Sequence, residues 1–213
     1  MTRWTIEAVC TGTARPFHGA ELSAFAKRPR EGAVQVLEEG LAPDEQADRT
    51  VHGGPEQALH LYPLDHHAWW RERIGDHPAL DEPGGFGSNL AVTGLTEEHV
   101  HIGDRFACGS ALIEVSRPRS PCWKIEHRFG HKGMVAAIVQ SARCGWYFRV
   151  IETGTVAAGD SLERVAIGAA EWSVARVFRA FNGGKASPQD YAALTDLETL
   201  SPYLRAKAAA KRS

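Results

Sequence analysis

Ala111-Leu112-Ile113-Glu114-Val115, followed by Ser116-Arg117-Pro118-Arg119-Ser120-Pro121-Cys122-Trp123-Lys124, is the stretch from which the chain is best read. The first five residues are an apolar, strand-like run. The two prolines that follow each remove a backbone donor and fix their own φ, and each pushes its predecessor toward extended geometry. The reading is therefore a strand that ends in a stiff loop from Ser116 onward. That loop holds one thiol, Cys122, among Arg117, Arg119 and Lys124. Neighbouring cations favour the thiolate, the form that attacks electrophiles or binds soft metals. Trp123 offers a flat wall to a planar ligand. A lone cysteine in other settings is a small core residue, and Cys10 and Cys144, in or beside regular elements, read that way. Cys108, before Gly109 in a turn, reads as partly exposed.

Outward from this stretch, short strands alternate with turns. Trp4 to Val9 reads as a first strand and Ala33 to Leu37 as a second. Leu90 to Val92, Ile102 to Phe106 and Trp146 to Ile151 follow, the last rich in aromatic and β-branched residues. Gly154 to Val156 and Gly159 to Leu162 read as a final strand pair joined by a tight turn. Many short strands punctuated by Gly and Asp predict a β-rich barrel or closed sheet. A helix is predicted over about Leu64 to Ile74, its apolar face formed by Ala68, Trp69 and Ile74. His60, His66 and His67 are then surface residues. A further helix runs over Lys132 to Arg143, with Gly145 as its stop.

From Gly168 the texture changes to three short helices. Val174, Val177, Phe178 and Phe181 fall at i, i+3, i+4, i+7. Ser187-Pro188 and Ser201-Pro202 each read as an N-cap serine with proline at the first helical position. Tyr191, Leu194 and Leu197 supply the middle helix's face. The predicted division is a β-domain over residues 1–167, its motifs within about 27–165, and a three-helix domain over 168–213.

Composition narrows the function classes. The chain has 213 residues, 43% hydrophobic and 23% charged, with a formal net charge of −2. That balance gives no global basic surface, so nucleic-acid binding is not indicated. The four cysteines form no CxxC pair, which fits a reduced, cytoplasmic chain. No secretory leader is visible, and no run approaches the roughly 18 apolar residues of a membrane span. Pro83-Gly84-Gly85-Phe86-Gly87-Ser88-Asn89 is glycine-rich, but no Gly-Lys-Ser/Thr follows it, so it is not a phosphate-binding P-loop. Asp44, Asp48 and His52 have an i, i+4, i+8 spacing that raises a metal cluster as a possibility, although Pro43 and Gly53 argue against one continuous helix. On local sequence Lys27 reads as solvated.

Taken in order, the motifs resemble the MOSC family, the domain named for the C-terminus of molybdenum cofactor sulfurase, and within it the YiiM-like branch. They are Gly40-Leu41-Ala42-Pro43-Asp44-Glu45-Gln46-Ala47-Asp48, His52-Gly53-Gly54-Pro55-Glu56-Gln57-Ala58, Tyr62-Pro63, Phe86-Gly87-Ser88-Asn89-Leu90, Gly103-Asp104, and Ser116 to Cys122. The C-terminal helices resemble the three-helix appendage of that branch. The resemblance implies a mixed, mainly β fold, a β-barrel decorated with helices. It also implies a molybdopterin-type molybdenum cofactor with Cys122 as the metal ligand and catalytic centre. Lys27, Arg119 and Lys124 become candidate contacts to the cofactor's phosphate, and His52, Gly53, Gly54 and Asn89 shape its pocket. The implied reaction is reduction of N-hydroxylated small molecules such as hydroxylaminopurines. Electrons would come from a separate flavoprotein or ferredoxin-type partner, since the flavin and iron–sulfur domains found in many relatives are not part of this sequence. The alternative is a carrier that holds sulfur as a Cys122 persulfide or binds a cofactor, pyridoxal phosphate among them, without turnover. The family's loop usually reads Gly-Glu-Asn where this chain has Gly87-Ser88-Asn89.

Overall fold

The computed structural model describes residues 2–47, 53–184 and 186–212. Strand β1 is Arg3–Thr5 and β2 is Ala8–Thr11, so the expected first strand breaks at Ile6-Glu7. The hairpin β3 (Arg15–His18) and β4 (Glu21–Ser23) comes next, followed by the short β5 (Arg28–Pro29). Strand β6 (Val34–Leu37) turns into β7 (Gly40–Leu41), and β8 (Leu59–Leu61) leads to helix α1 (Asp65–Ile74). Strands β9 (Leu90–Ala91), β10 (Arg105–Cys108) and β11 (Ala111–Pro118) precede helices α2 (Trp123–Phe129) and α3 (Met134–Ser141). Strands β12 (Trp146–Glu152), β13 (Gly154–Val156) and β14 (Ser161–Ala166) complete the sheets. Helices α4 (Val174–Asn182), α5 (Pro188–Asp196) and α6 (Pro202–Ala209) follow.

Among the described residues the main sheet has nine strands in the order β1-β14-β10-β11-β12-β8-β9-β2-β5 and curls into a half-barrel. The fold is thus mixed and mainly β, as the sequence indicates. The β8–β9 pair is parallel, and the neighbours on either side are antiparallel. β13 and β14 do not form a hairpin with each other. β13 joins β6 in a smaller sheet, and β14 pairs with β1 and β10. Each of the two needs an edge elsewhere, a long-range choice that turn residues cannot announce.

Strand β11 runs further than expected. It continues through the first proline, with Arg117 opposite Tyr147 and Pro118 opposite Trp146, after a bulge between Val115 and Arg117. Proline is tolerated there because it ends the strand, where no further ladder bond from its nitrogen is required. Pairing passes one residue beyond it, as the Arg119 N–H donates to the Gly145 carbonyl at 3.1 Å. The segment from Cys122 onward is not a loop either: Cys122 occupies the N-cap position of α2, so Lys124 is helical. The helix that follows, α3, is stopped by Ala142, at φ 60°, before the expected Gly145 is reached.

Helix α1 is rotated relative to its expected face. His66, His67 and Trp70 are buried, while Ala68 is exposed and Trp69 and Ile74 are half-buried. Burial of polar rings is tolerated when each finds an internal partner. His66 Nε2 lies 2.8 Å from Glu97 and His67 Nδ1 lies 2.8 Å from the Leu80 carbonyl. Trp70 donates to the Tyr62 hydroxyl at 2.7 Å, and Tyr62 stacks on Phe86 with centroids 4.2 Å apart. His60 is buried as well, so none of the three histidines is a surface residue. Cys108 is fully buried too, against the reading as partly exposed.

The C-terminal helices bury most of the faces their periodicity predicts: Tyr191 and Leu194 of α5 are buried, while Leu197 lies just past the helix as its C-cap and is half-buried. Val174, Val177, Phe178 and Phe181 of α4 join the same apolar cluster as Phe106, Ile113, Val115 and Trp146 of the sheet. Burying a side chain of this size contributes about 1.5–3 kcal/mol. Ser187 caps α5 in a reciprocal box with Asp190. Ser201 takes the N-cap position of α6, but its side chain makes no cap hydrogen bond.

Candidate active site

Strand β11 ends, and α2 begins, at the rim of a cavity. Arg119, Ser120, Cys122 and Lys124 form one side, and His60 of β8 and Tyr147 of β12 line it from neighbouring strands. Phe25 and Lys27 close it from the segment between β4 and β5, and Asp44 and Gln46 from the segment after β7. The empty space it holds, solvent at its open mouth included, is about 730 Å³. Of the residues expected at a site, Lys27, Gly53, Asn89, Arg119, Cys122 and Lys124 all line it. Gly54 does not; it precedes a single 3-10 turn at Pro55–Gln57. His52 lies outside the described residues, as does Asp48.

Cys122 is half-buried, whereas Cys10, Cys108 and Cys144 are buried. Burial pushes the Cys10 and Cys108 thiols up to about 12 and raises Cys144 as well. Those three are held as thiols inside the core. Of the three cations expected around Cys122, two face the cavity. Arg117 instead points toward the C-terminal helices, its guanidinium 5.0 Å from the Tyr203 ring centroid. Arg119 and Lys124 are both buried, and neither has a carboxylate partner among the described residues. Arg119 Nη1 has no hydrogen-bond partner among the described residues. Trp123 does not wall the cavity. It is 44% exposed and packs with Phe17, His18 and His127, tying the β3–β4 hairpin to α2.

Lys27 is buried, contrary to its reading as solvated, because Asp44 receives its ammonium in an ion pair. Burial lowers the Lys27 pKa, and the charge of Asp44 opposes that shift. Asp44 also accepts from the Gly12 N–H at 2.7 Å and from Asn89 Nδ2 at 2.9 Å. It is therefore tied into the wall, while Asp48 and His52, the other members of the i, i+4, i+8 series, lie outside the described residues. Asn89 extends the same network: Nδ2 also donates to the Cys10 carbonyl at 3.2 Å, and Oδ1 accepts the His60 N–H at 3.0 Å. Gly53, at φ +88°, packs so closely on Gln46 that a Cβ would lie 1.7 Å from Gln46 Oε1. Ser88, where the family has glutamate, is fully buried and donates to the Pro83 carbonyl at 3.0 Å.

Sequence reasoning missed His60, Asp44 and Tyr147 as site residues. His60 and Tyr147 are opposite each other in the β8–β12 register, with ring centroids 5.1 Å apart. Alternation in Leu59-His60-Leu61 sets His60 apart from its neighbours, but only the strand pairing shows that this face opens on a cavity.

Comparison with known proteins bears on this arrangement. The MOSC domain model matches residues 48–163, more than half of the chain. Protein YiiM of Escherichia coli is 40% identical over 157 residues, covering 74% of this chain and 70% of that protein. A protein of Gibberella moniliformis named reductase is 35% identical over 188 residues, 87% of this chain but 33% of that protein's length. The crystal structure of YiiM from Geobacillus stearothermophilus superposes with a TM-score of 0.84 at 26% identity, covering 99% of this chain and 100% of that one. The chain belongs to the MOSC domain family.

Proposed function

We propose that this chain is an oxidoreductase that binds a molybdenum–pterin cofactor and reduces N-hydroxylated small molecules with electrons from a separate redox protein. The observation that carries the proposal is the meeting, on one cavity, of the Cys122 thiol with two buried cations that have no carboxylate partner among the described residues. A buried guanidinium without a counter-ion is costly unless an anion completes it, and Arg119 Nη1 finds no hydrogen-bond partner among the described residues. These residues fit the group. Cys122 supplies the soft sulfur donor that suits molybdenum, and Arg119 and Lys124 supply charge for the pterin's phosphate. The likeness to a protein named reductase supports the same direction of chemistry.

When bound, the cofactor would supply two-electron reduction chemistry. The overall reduction consumes two electrons and two protons, breaks the N–O bond and releases water. In this scheme Cys122 would hold the metal, while Arg119 and Lys124 would fix the anionic end of the cofactor. The Lys27–Asp44 pair, braced by Asn89, keeps the opposite wall in place. The electron donor would be a flavoprotein or ferredoxin-type partner.

The test is the molybdenum and pterin content per chain after expression in a host that makes the cofactor, for the wild type and for Cys122→Ala. Molybdenum near one per chain, lost in the variant, is the expected result. A well-folded wild type with no molybdenum overturns the proposal, and a cyanide-labile sulfur on Cys122 would then replace it with the sulfur-carrier reading.

A further inference from the structure

The β3–β4 hairpin is a two-stranded sheet of its own, with no ladder to the other sheets among the described residues. Its roots meet where Gly12 passes Ala24: a Cβ on Gly12 would stand 2.3 Å from the Ala24 carbonyl oxygen, so only glycine fits. The roots are fixed to the segment after β7, the Gly12 N–H donating to Asp44 and the Ala14 N–H to Glu45, both at 2.7 Å. From there the hairpin projects as a ribbon in which, from Arg15 to Leu22, every residue but Phe17 is exposed. Its far end rests on α2. Phe17 packs on Trp123 and His127 with centroids 5.9 and 4.7 Å apart, and His18 packs on the same two rings at 5.6 and 4.9 Å. His127 Nε2 donates to the Phe17 carbonyl at 2.9 Å. The two sides of this clasp are anchored unequally. Helix α2 buries Ile125 and Phe129 in the main core, Glu126 accepts the Gly133 and Val135 N–H groups at the start of α3, and Arg128 pairs with Glu82. Beyond its roots, the hairpin's hydrogen bonds and ring contacts to the rest of the chain are, among the described residues, those of the clasp alone. If the clasp parts, the hairpin swings and α2 stays.

We infer that the β3–β4 hairpin is a flap across the rim of the cavity, hinged at Gly12 and Ala24 and latched to α2 by Phe17, His18, Trp123 and His127. Its opening admits ligands too large to pass the closed rim. The position of the two ends carries this reading. At the roots, Ser23, Ala24 and Phe25 line one wall of the cavity; at the far end, the latch holds Trp123, the residue next to Cys122 on another wall. The ribbon therefore runs from wall to wall. Segments with few buried apolar contacts open locally without global unfolding, and a closed flap keeps water from a site until a ligand is in place. The inference goes beyond the cofactor reading and holds for any large ligand that the cavity takes.

Cys122 is the reporter, in the full chain without cofactor. Its modification by a small reagent, iodoacetamide, and by a bulky one, fluorescein maleimide, is timed by mass spectrometry of the Cys122 peptide. The bulky reagent reacts only while the flap is open, so its rate follows the open fraction. Phe17→Ala is expected to raise the maleimide rate by about tenfold, equivalent to about 1.4 kcal/mol removed from the latch, and to leave the iodoacetamide rate unchanged. Leu22→Ala, on the ribbon but outside the latch, should alter neither rate; Leu22 is 51% exposed. Native-state hydrogen exchange of the wild type provides a measurement that needs no variant. The β3–β4 amides should exchange through a common opening, ahead of those of α2. A maleimide rate unmoved by Phe17→Ala, a parallel rise with both reagents, or hairpin amides that exchange only together with α2 overturns the inference. None of these outcomes depends on whether the protein takes up molybdenum.

Discussion

Replacing Asp44 by alanine tests whether the wall of the cavity is held as the structure indicates. The Asp44 side chain is 3% exposed and that of its partner Lys27 11%. Removing the carboxylate leaves an ammonium buried without a counter-ion, deprives the Gly12 N–H of its acceptor and leaves Asn89 Nδ2 only the Cys10 carbonyl. Breaking a buried pair from one side costs about 3–5 kcal/mol. At about 2–4 °C per kcal/mol for a chain of this size, a loss of about 4 kcal/mol lowers Tm by about 8–16 °C. Removing both charges, as in Lys27→Met with Asp44→Leu, eliminates the unpaired ammonium but does not restore the lost acceptor. The double variant is therefore expected to recover about half of the loss. A double-mutant cycle by denaturant unfolding is the assay. The pH dependence provides a second check. A folded-state lysine pKa below its ordinary 10.5 means that the unfolded chain binds more protons between the two values, so stability rises with pH there. Without Asp44 opposing the effect of burial, the Lys27 pKa falls further. The deficit of Asp44→Ala relative to wild type should then shrink as pH rises toward 10.5. A cost below about 1 kcal/mol, or strict additivity of the two single replacements, would refute the reasoning.

Other measurements follow from the same geometry. His60 and His67 both have pKa values depressed mainly by burial, so below 6.5 the unfolded chain takes up protons that the folded chain does not, and stability falls as pH drops; His60→Phe should make that fall shallower in urea titrations at pH 7 and pH 5. A thiol reagent applied to the native protein should label one of the four cysteines rapidly, and Cys122→Ala should abolish that fast phase, since the other three thiols are buried. Gly145→Ala should cost about 1–3 kcal/mol by thermal unfolding, because its Cβ would approach the Leu61 carbonyl oxygen to 2.5 Å at a residue with φ +69°; an unchanged Tm would show that the β8–β12 crossing is looser than described.

Much of this arrangement was legible before any coordinates. The strand at Ala111 to Val115 and its end near Pro118 follow from local chemistry. So do the three C-terminal helices, whose apolar spacing and Ser-Pro starts are read within a few residues. What failed was whatever depended on distant partners. Lys27 and the histidines at 60, 66 and 67 read as surface groups because a polar residue with no visible partner belongs in water. Asp44, Glu97, the Leu80 carbonyl and the Gly87 carbonyl supply those partners from 13 to 31 residues away.

The amino-acid sequence by itself determined the β-rich class and the family and singled out Cys122, because propensity, turn chemistry and motif order are properties of adjacent residues. Only the tertiary structure decided which cations face Cys122 and which is turned away, that Asp44 belongs to Lys27, and that His60 borders the cavity. These are facts of register and sheet order. Neighbours across β8, β12 and β11 lie far apart along the chain, and no local pattern records which of them meet.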